Sequence, residues 1–426
     1  MQVLRRQFIE QIRHCASSKN HPEILVFQGE TAYSLSLLEW LKAQSLFPQF
    51  YFKSRTQQHT WAALGEVRSF FDAFHAEQFV QQSHFPLVGG LTFDKQAYFF
   101  LPRFLLSQTG NKTQVQFFVH RDELAEQDTL IEYLQTLEKF TALSPLKQEI
   151  TALSCAANQA TWSNWVESAL NHIQEGQLDK VVLANKQTYQ TDSLLNAMDL
   201  LAESENKNSG CYHFLLAQQA DSVFIGSSPE RLYQRLGQQL HTEALAGTAT
   251  ISDDLAQNQH LTHWLLQDKK NIVENQLVAE GICLALQPYA EHIQVADLTV
   301  KTLRQVMHLY REITAILKPM YSDQICLQAL HPTAAVSGLP QSSAINFIQN
   351  TENFDRTWYA GTLGIMQSDS AEFCVTIRSA VIEAESLSVF AGAGIVEGSI
   401  PLLEWQEIER KATGLLSLFK DKQQSA

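Results

Sequence analysis

The 426-residue sequence lacks paired cysteines, a long apolar run and any block of basic residues. Its six cysteines are widely spaced, with no CxxC pair and no histidine at zinc-ligand spacing, which predicts reduced thiols in a cytoplasmic protein. No segment approaches the ~18 consecutive apolar residues of a membrane-spanning helix, and the N-terminus has no apolar signal core. With 31 Lys and Arg against 45 Asp and Glu, the net charge of -14 disfavours nucleic acid or an anionic membrane as partner.

What the sequence does contain is groups of strand-like runs separated by a few long helical patterns. The clearest strand-like segments are KVVLANKQTY, CYHFLLA, SVFIGSS, RLYQRLGQQLHTEAL, EFCVTIRSAVIEA and SLSVFAGAGIV. Helical spacing runs from about Trp162 to Gly176, from about Asp254 to Leu286, and after Pro401. Grouped strands without regular βαβ alternation predict an α+β fold built on large antiparallel β-sheets.

The stretch TALSPLKQEITALSCAANQA is the best place to divide the chain, because its composition shifts mildly towards that of a connection. We interpret residues 1–157 as the N-terminal part of the α+β fold. Residues 158–423 then form the region that holds the functional site. The two parts are expected to form one compact unit.

One carboxylate lies where the helical period predicts an apolar side chain. In NIVENQLVAEGICLAL, a single stripe holds Leu277, Val278 and Ile282 together with Glu274. An unpaired buried carboxylate is costly or takes up a proton, so Glu274 requires a cation, a metal or a strong donor. A structural salt bridge to an arginine would satisfy the same pattern.

The segment PLLEWQEIERKA raises the same question. On a helix, Glu404, Glu407 and Lys411 lie along the edge of an apolar stripe, whereas charges that serve only solubility lie opposite it. Two interpretations remain open from the spacing. The edge is either the wall of a cavity or the place of an i,i+4 ion pair between Glu407 and Lys411.

Three further charged residues interrupt or end apolar strands. Glu230 follows the sharp strand end GSSP, although SPE is also an ordinary helix start. Lys180 heads the apolar run KVVLA, where it is either a base or a lysine at a strand edge whose ammonium reaches water. Arg378 lies in VTIRSA, and its guanidinium would suit a carboxylate. Two Gly- and Ala-rich runs, TEALAGTA and AGAGIVEGS, would let a ligand approach the backbone.

Taken in order, these segments resemble the chorismate-utilising enzymes. The matching pieces are KVVLA, GSSPERL, TEALAGTA, VENQLV, LHPTAAVSGLP, WYAGTLG, VTIRSA and AGAGIVEGSIPLLEWQEIERK, which cover about residues 158 to 415. The resemblance implies the fold of anthranilate synthase component I, with antiparallel sheets enclosing the site and helices packed outside. It also implies chorismate, a dianion, as the substrate and Mg²⁺ as the cofactor.

The resemblance further assigns roles to individual positions. Glu274, Glu407 and Glu404 would be the metal ligands, with Asn271 at a position where some relatives carry another acidic residue. Arg378 and Tyr359 would hold the enolpyruvyl carboxylate, and Lys411 would contact a substrate carboxylate. The remaining substrate-binding residues implied by the family motifs are Gly247, Thr248, His331 and Gly394.

The branch of the family follows from two positions. Lys180 and Glu230 stand where isochorismate-forming relatives have the base that activates water and the acid that protonates the departing 4-hydroxyl, and such a pair needs separately tuned pKa values. Ala246 replaces the nucleophilic lysine of aminodeoxychorismate synthases. Anthranilate synthases lack the lysine at position 180, so no glutaminase subunit is expected.

The departure at Asn185, where relatives often have arginine, leaves the role of a cation there open.

Isochorismate formation towards menaquinone is therefore the expected function, by a cytoplasmic monomer or homodimer. The stretch LEWLKAQSLFPQFYFKSR resembles menaquinone-type members, and GTAT replaces the GTR common in relatives that go on to eliminate pyruvate. The alternatives are a salicylate synthase, which shares Lys180 and Glu230, and an isochorismate synthase of a siderophore pathway. A non-catalytic chorismate-binding subunit is the alternative of another class.

Overall fold

The computed structural model describes residues 1–16, 21–252 and 254–420. The predicted site region, 158–423, therefore ends three residues beyond the described part. The strands are β1 Ile24–Thr31, β2 Gln49–Lys53, β3 His59–Phe70, β4 Leu87–Leu91, β5 Ala97–Thr109, β6 Lys112–His120, β7 Ile150–Cys155, β8 Lys180–Thr191, β9 Tyr212–Gln219, β10 Ser222–Ser228, β11 Arg231–Leu236, β12 Gln239–Thr250, β13 Ala290–Val295, β14 Thr299–Thr302, β15 Val306–Leu317, β16 Gly338–Leu339, β17 Thr362–Met366, β18 Ser370–Val375, β19 Ser379–Glu383 and β20 Ser386–Ile395.

Helices cover a smaller set of segments. The α-helices are α1 Gln2–Ala16, α2 Leu37–Lys42, α3 Ala73–Ser83, α4 Gln127–Tyr133, α5 Gln159–Gln174, α6 Ala197–Lys207, α7 Leu255–Leu265, α8 Lys269–Leu286, α9 Asp323–Leu330, α10 Gln341–Thr351 and α11 Pro401–Lys420. Two short 3₁₀ helices span Arg121–Ala125 and Leu134–Glu138. Within the described residues, no helix is long and apolar enough to cross a bilayer.

The strands form one antiparallel network with two arms that meet at β5. One arm runs β5–β3–β2–β9–β10–β19–β20–β8, with β7 and β16 paired to β8. The other runs β5–β4–β17–β18–β11–β12–β15, with β13 and β14 paired to β15. The β6–β1 pair extends the network beyond β5. These antiparallel sheets confirm the predicted α+β class.

Strands from residues 1–157 pair directly with strands from the rest of the chain. β2 pairs with β9, β4 pairs with β17, and β7 pairs with β8. β7 lies inside the stretch that we interpreted as a connection. The division at residue 157 therefore stays a prediction, and the two sides of it share one sheet.

Three predicted elements differ from those observed. The helical pattern 254–286 is two helices, because the Asp268 side chain accepts a hydrogen bond from Asn271 N and starts α8 afresh. RLYQRLGQQLHTEAL is the hairpin β11–β12, which turns at Gly237. EFCVTIRSAVIEA is two strands, β18 and β19, interrupted before Ser379. Arg378 therefore lies in a kink between strands and not within one, with a left-handed φ of 52°.

Candidate active site

A cavity that is partly open to solvent lies where the two arms of the sheet face each other. Its wall combines β8 and β20 of one arm with β12 and β15 of the other, and it includes the β10–β11 loop, α8 and α11. The charged residues that line it are Glu230, Glu274, Arg378 and Lys411. Segments distant in sequence thus bring charged groups to one partly enclosed space.

Lys180 and Glu274 form an ion pair beside this cavity. Lys180 begins β8 and is fully buried, and its Nζ lies 3.2 Å from Glu274 Oε1 in an arrangement that lacks hydrogen-bond geometry. Gly394 on β20 makes room for the pair, because a Cβ there would lie 2.2 Å from Glu274 Oε1 and 3.0 Å from Lys180 Cε. The Lys180 ammonium thus has no hydrogen-bond acceptor among the described residues, and it can donate a hydrogen bond to a bound ligand.

The helix α11 presents its carboxylates to lysines. Glu404 is buried and accepts a hydrogen bond from Lys270 at the start of α8. Glu407 pairs with Lys411 at 2.6 Å, and the Lys411 ammonium also donates to the Gly392 carbonyl at 2.9 Å. Both interpretations of this edge therefore hold in the ligand-free structure: the i,i+4 pair exists, and Lys411 also lines the cavity.

The three predicted metal ligands are each paired with a lysine. The pairs are Lys180–Glu274, Lys270–Glu404 and Lys411–Glu407. Among the described residues, no three acidic, histidine or cysteine side chains form a preformed metal site. The donor chemistry nevertheless suits Mg²⁺, which takes a few carboxylates together with water and substrate oxygens.

Glu230 has the opposite environment to that of Glu274. It is 3% exposed in the loop between β10 and β11, and its carboxyl group makes no hydrogen bond or ion pair with the residues described. Burial, and then the negative charge of Glu243, raise the pKa of Glu230 to about 8. Lys180, Lys301 and Lys411 oppose this shift without cancelling it. Glu230 can therefore hold a proton at neutral pH and donate it into the cavity.

Arg378 and Tyr359 supply a cation and an aromatic face. The Arg378 guanidinium has no ion-pair or hydrogen-bond partner in the described part of the chain, and it lines the cavity. Its left-handed backbone is stabilised by its own carbonyl, which accepts a hydrogen bond from Ser227 N. Tyr359 stacks on Phe390 with ring centroids 5.1 Å apart. A guanidinium at a cavity wall has the geometry to donate two parallel hydrogen bonds to a carboxylate.

Backbone and small side chains complete the wall. Gly247, Thr248 and Gly394 all line it, and Gly247 adopts φ +80°, a conformation that L side chains rarely take. Thr248 Oγ1 lies 3.0 Å from His308 Nδ1. Burial, together with the positive charges of Arg378 and Lys411, lowers the pKa of His308 well below its usual range. His308 is therefore a neutral hydrogen-bonding group of the cavity.

Comparison with known proteins identifies the family. A family model described as chorismate binding enzyme matches residues 90–420. The isochorismate synthase MenF of Pasteurella multocida is 52% identical, covering 99% of this chain and 99% of that protein. The chain belongs to the chorismate-binding enzyme family. This confirms the resemblance stated from the motifs.

Solved structures agree with this family membership. The menaquinone-specific isochorismate synthase MenF of Escherichia coli superposes with a TM-score of 0.89 at 37% identity, covering 96% of this chain and 98% of that one. Anthranilate synthase component I from Streptococcus pneumoniae matches with a TM-score of 0.67 at 20% identity, covering 93% of each chain. The second match bears on the fold alone, and it confirms the predicted architecture.

Six positions singled out from the family motifs do not line the cavity wall: Lys180, Glu404, Glu407, His331, Asn271 and Asn185. The first three form the ion pairs described above, and the other three make structural contacts. His331 is fully buried, and its Nε2 lies 2.8 Å from the Thr92 carbonyl, so its position does not support the predicted substrate contact. Asn271 accepts a hydrogen bond from Thr248 N, which makes it a support for the wall. Asn185 bonds both polar atoms of the Ala157 backbone and so fixes the chain just before α5.

Two residues of the site escaped the reasoning from sequence. His308 lies on β15 in a strand segment that gave no distinguishing pattern, and Lys270, which precedes Glu274 by one helical turn, was not selected. The spacing between Lys270 and Glu274 is the one sequence signal that could have identified Lys270. Lys270 and Glu274 lie four residues apart, and such a pair on the edge of a buried stripe predicts a charged cluster.

The raised pKa of Glu230 makes stability depend on pH. An unfolded chain ionises Glu230 above about pH 4.5, whereas the folded protein keeps the proton until about pH 8. The contribution of Glu230 to the free energy of unfolding therefore falls across that window by about 1.4 kcal/mol per pH unit. Glu230→Gln has no proton to lose, so we expect it to be more stable than the wild type at pH 7 and nearly equal to it at pH 4.5. Urea unfolding at both pH values measures the difference, and a pH-independent difference would contradict the assignment.

Proposed function

We propose that the protein converts chorismate to isochorismate. The observation that supports this most directly is one cavity lined by the Arg378 guanidinium and by Glu230, whose pKa is raised to about 8, with the buried Lys180 beside it. Relatives and a solved structure of the family are named as isochorismate synthases, and the menaquinone branch belongs to the same proposal. Action in the cytoplasm, as a monomer or homodimer without a glutaminase subunit, also belongs to it.

The reaction exchanges one hydroxyl for another across the ring. Water adds to C2 while the double bonds shift and the C4–oxygen bond breaks, so one water enters and one leaves. Lys180, when its amine is neutral, takes the proton from the attacking water. Glu230 gives its proton to the departing hydroxyl. The two groups have distinct surroundings, which lets one act as base and the other as acid at the same pH.

Charge balance explains how an acidic protein accepts a dianion. Three lysines offset the three carboxylates Glu274, Glu404 and Glu407, and Arg378 adds one unpaired positive charge at the wall. The Arg378 guanidinium would bind the enolpyruvyl carboxylate, with Tyr359 and Lys411 beside it. Glu274, Glu404 and Glu407 would hold Mg²⁺, which when bound neutralises and orients the ring carboxylate.

Product identity tests this function. Purified protein is incubated with chorismate, with and without Mg²⁺, and isochorismate and pyruvate are quantified separately by chromatography. We expect isochorismate without matching pyruvate, and only with the metal. Pyruvate formed in step with chorismate loss would assign a salicylate synthase instead. Absence of turnover under all conditions would support a non-catalytic binding protein.

Removal of the base should separate chemistry from binding. We expect Lys180→Ala to lower kcat by at least ~100-fold, the order of contribution of a general base, while chorismate still binds. Lys186→Ala is the matched control, because Lys186 lies on the same strand but, unlike Lys180, forms no ion pair with Glu274. Full activity of Lys180→Ala, measured as isochorismate formation, would remove Lys180 from the mechanism.

The metal assignment has a readout that is independent of turnover. Isothermal titration of chorismate into the wild type should show tight binding with Mg²⁺ and weak binding after chelation. Glu407→Gln should weaken binding with metal present and change it little without metal. Glu409→Gln is the control on the same helix, since Glu409 is exposed and bonds Gln187. Metal-dependent binding that is unchanged in Glu407→Gln would exclude Glu407 as a ligand.

A further inference from the structure

The loop that holds Glu230 is fixed from the side away from the cavity. The carbonyl of Pro229, immediately before Glu230, accepts hydrogen bonds from Arg55 Nη1 at 2.8 Å and from Lys301 Nζ at 3.0 Å. The carbonyl of Glu230 itself accepts from Val375 N at 3.1 Å. Two successive peptide units of the β10–β11 loop are therefore anchored, which restrains the backbone that carries the Glu230 side chain.

A second carboxylate completes this support. Glu243 on β12 is fully buried. Its two carboxylate oxygens accept hydrogen bonds from Arg55 Nη1 and Nη2, at 2.6 and 2.9 Å. Its Oε1 also accepts the Arg231 backbone N–H at 3.0 Å, immediately after Glu230. Lys301 Nζ lies 3.8 Å from the same oxygen. Arg55 and Glu243 thus hold the peptide on both sides of Glu230.

Arg55 comes from the N-terminal part of the chain, in the short turn between β2 and β3. That turn is stiffened by backbone bonds from Ser54 N to His59 O and from Gln57 N to Ser54 O. The guanidinium lies over the Tyr212 ring, 5.6 Å from its centroid. A planar guanidinium that makes a two-point contact with a carboxylate defines geometry more narrowly than an ammonium does.

We propose that Arg55 and Glu243 are positioning residues for Glu230, holding its carboxyl group against the substrate's departing hydroxyl. This rests on the proposed role of Glu230 as the acid. Neither residue lines the cavity, so each acts through the loop. Displacing a catalytic group by about 1 Å lowers the rate by ~100-fold, so a loop fixed at two peptides has a direct kinetic consequence.

Glu243 also places a negative charge near Glu230, which raises the pKa of Glu230. Burial raises the pKa of Glu243, but Arg55 and Lys301 outweigh it, so Glu243 stays ionised. The charged groups that influence the Glu230 carboxyl group come from several elements: Glu243 on β12, Lys180 on β8, Lys301 on β14, Lys411 on α11 and Arg378 before β19. Glu243 is the only one of them that favours the protonated form.

Arg55→Lys tests the positioning role. The lysine keeps the charge but loses the two-point contact, and we expect kcat to fall by ~10- to 100-fold with KM for chorismate changed less than about threefold. Arg103→Lys is the matched control, because Arg103 makes the same set of contacts, two to Glu123 and one to the Phe118 carbonyl, far from the cavity. It should lower stability without lowering kcat. A kcat for Arg55→Lys within twofold of the wild type would overturn the proposal.

The pH dependence of kcat in Glu243→Gln tests the role of Glu243, because a simple loss of packing would not shift it. The amide keeps an oxygen for Arg231 N but removes the negative charge, so the pKa of Glu230 should fall below its value of about 8. The alkaline limb of the kcat–pH profile should then move to lower pH. An unshifted limb would exclude Glu243 from this role.

A crystal structure of Arg55→Lys separates this proposal from the proposed function. A displaced Glu230 carboxyl group supports the positioning role even if the wild type makes no isochorismate from chorismate, in which case the assigned reaction alone fails. A Glu230 that keeps its wild-type position in Arg55→Lys overturns the positioning role whatever the reaction proves to be.

Discussion

The pairing of Glu274, Glu404 and Glu407 with one lysine each is the constraint on which the rest of the site depends. Lys180 is fully buried, and a buried ammonium without a counter-charge would be costly, so Glu274 must lie beside it. That requirement fixes the approach of α8 to β8, and it leaves no room for a side chain at position 394. The Lys270–Glu404 pair then joins the start of α8 to α11. Two helices far apart in sequence are thereby locked across one cavity.

The same pairing makes the site adaptable. An ion pair in a partly buried place is held by attraction that another ion can replace, whereas an apolar contact cannot be exchanged in this way. Lysine ammonium groups occupy the carboxylates in the ligand-free protein. Under the proposed function, Mg²⁺ and a dianionic substrate would carry charges that cancel, so binding both would leave the net charge of the site unchanged.

The sequence revealed the charged residues of the site more readily than their partners. Glu274, Lys180 and Glu230 were conspicuous because each breaks an apolar pattern, and the family motifs supplied the order in which they occur. The buried stripe of α8 is nevertheless rotated from the predicted one and runs through Asn271, Asn275 and Ile282, so Glu274 lies at its margin and faces the cavity. Periodicity gives the face of a helix only to within about one residue, because it contains no information about the neighbouring strands.

Pairings between distant segments were beyond reach from the sequence. Arg55 and Glu243 are 188 residues apart, and neither breaks a local pattern strongly enough to be selected. The left-handed kink at Arg378 was also hidden, since VTIRSA has the composition of a continuous strand. Such features arise from tertiary contacts that override local preference.

Glu230 and Glu274 show how one residue type takes two roles in one cavity. Glu274 has an ammonium beside it, whereas Glu230 has the ionised Glu243 behind it and no partner in front. The first environment favours a carboxylate that can bind a cation, and the second favours a carboxyl group that can donate a proton. The difference between Glu274 and Glu230 therefore comes from the groups around each carboxyl group and not from the residue type. The properties of the two glutamates therefore depend on the neighbouring charges of Lys180 and Glu243.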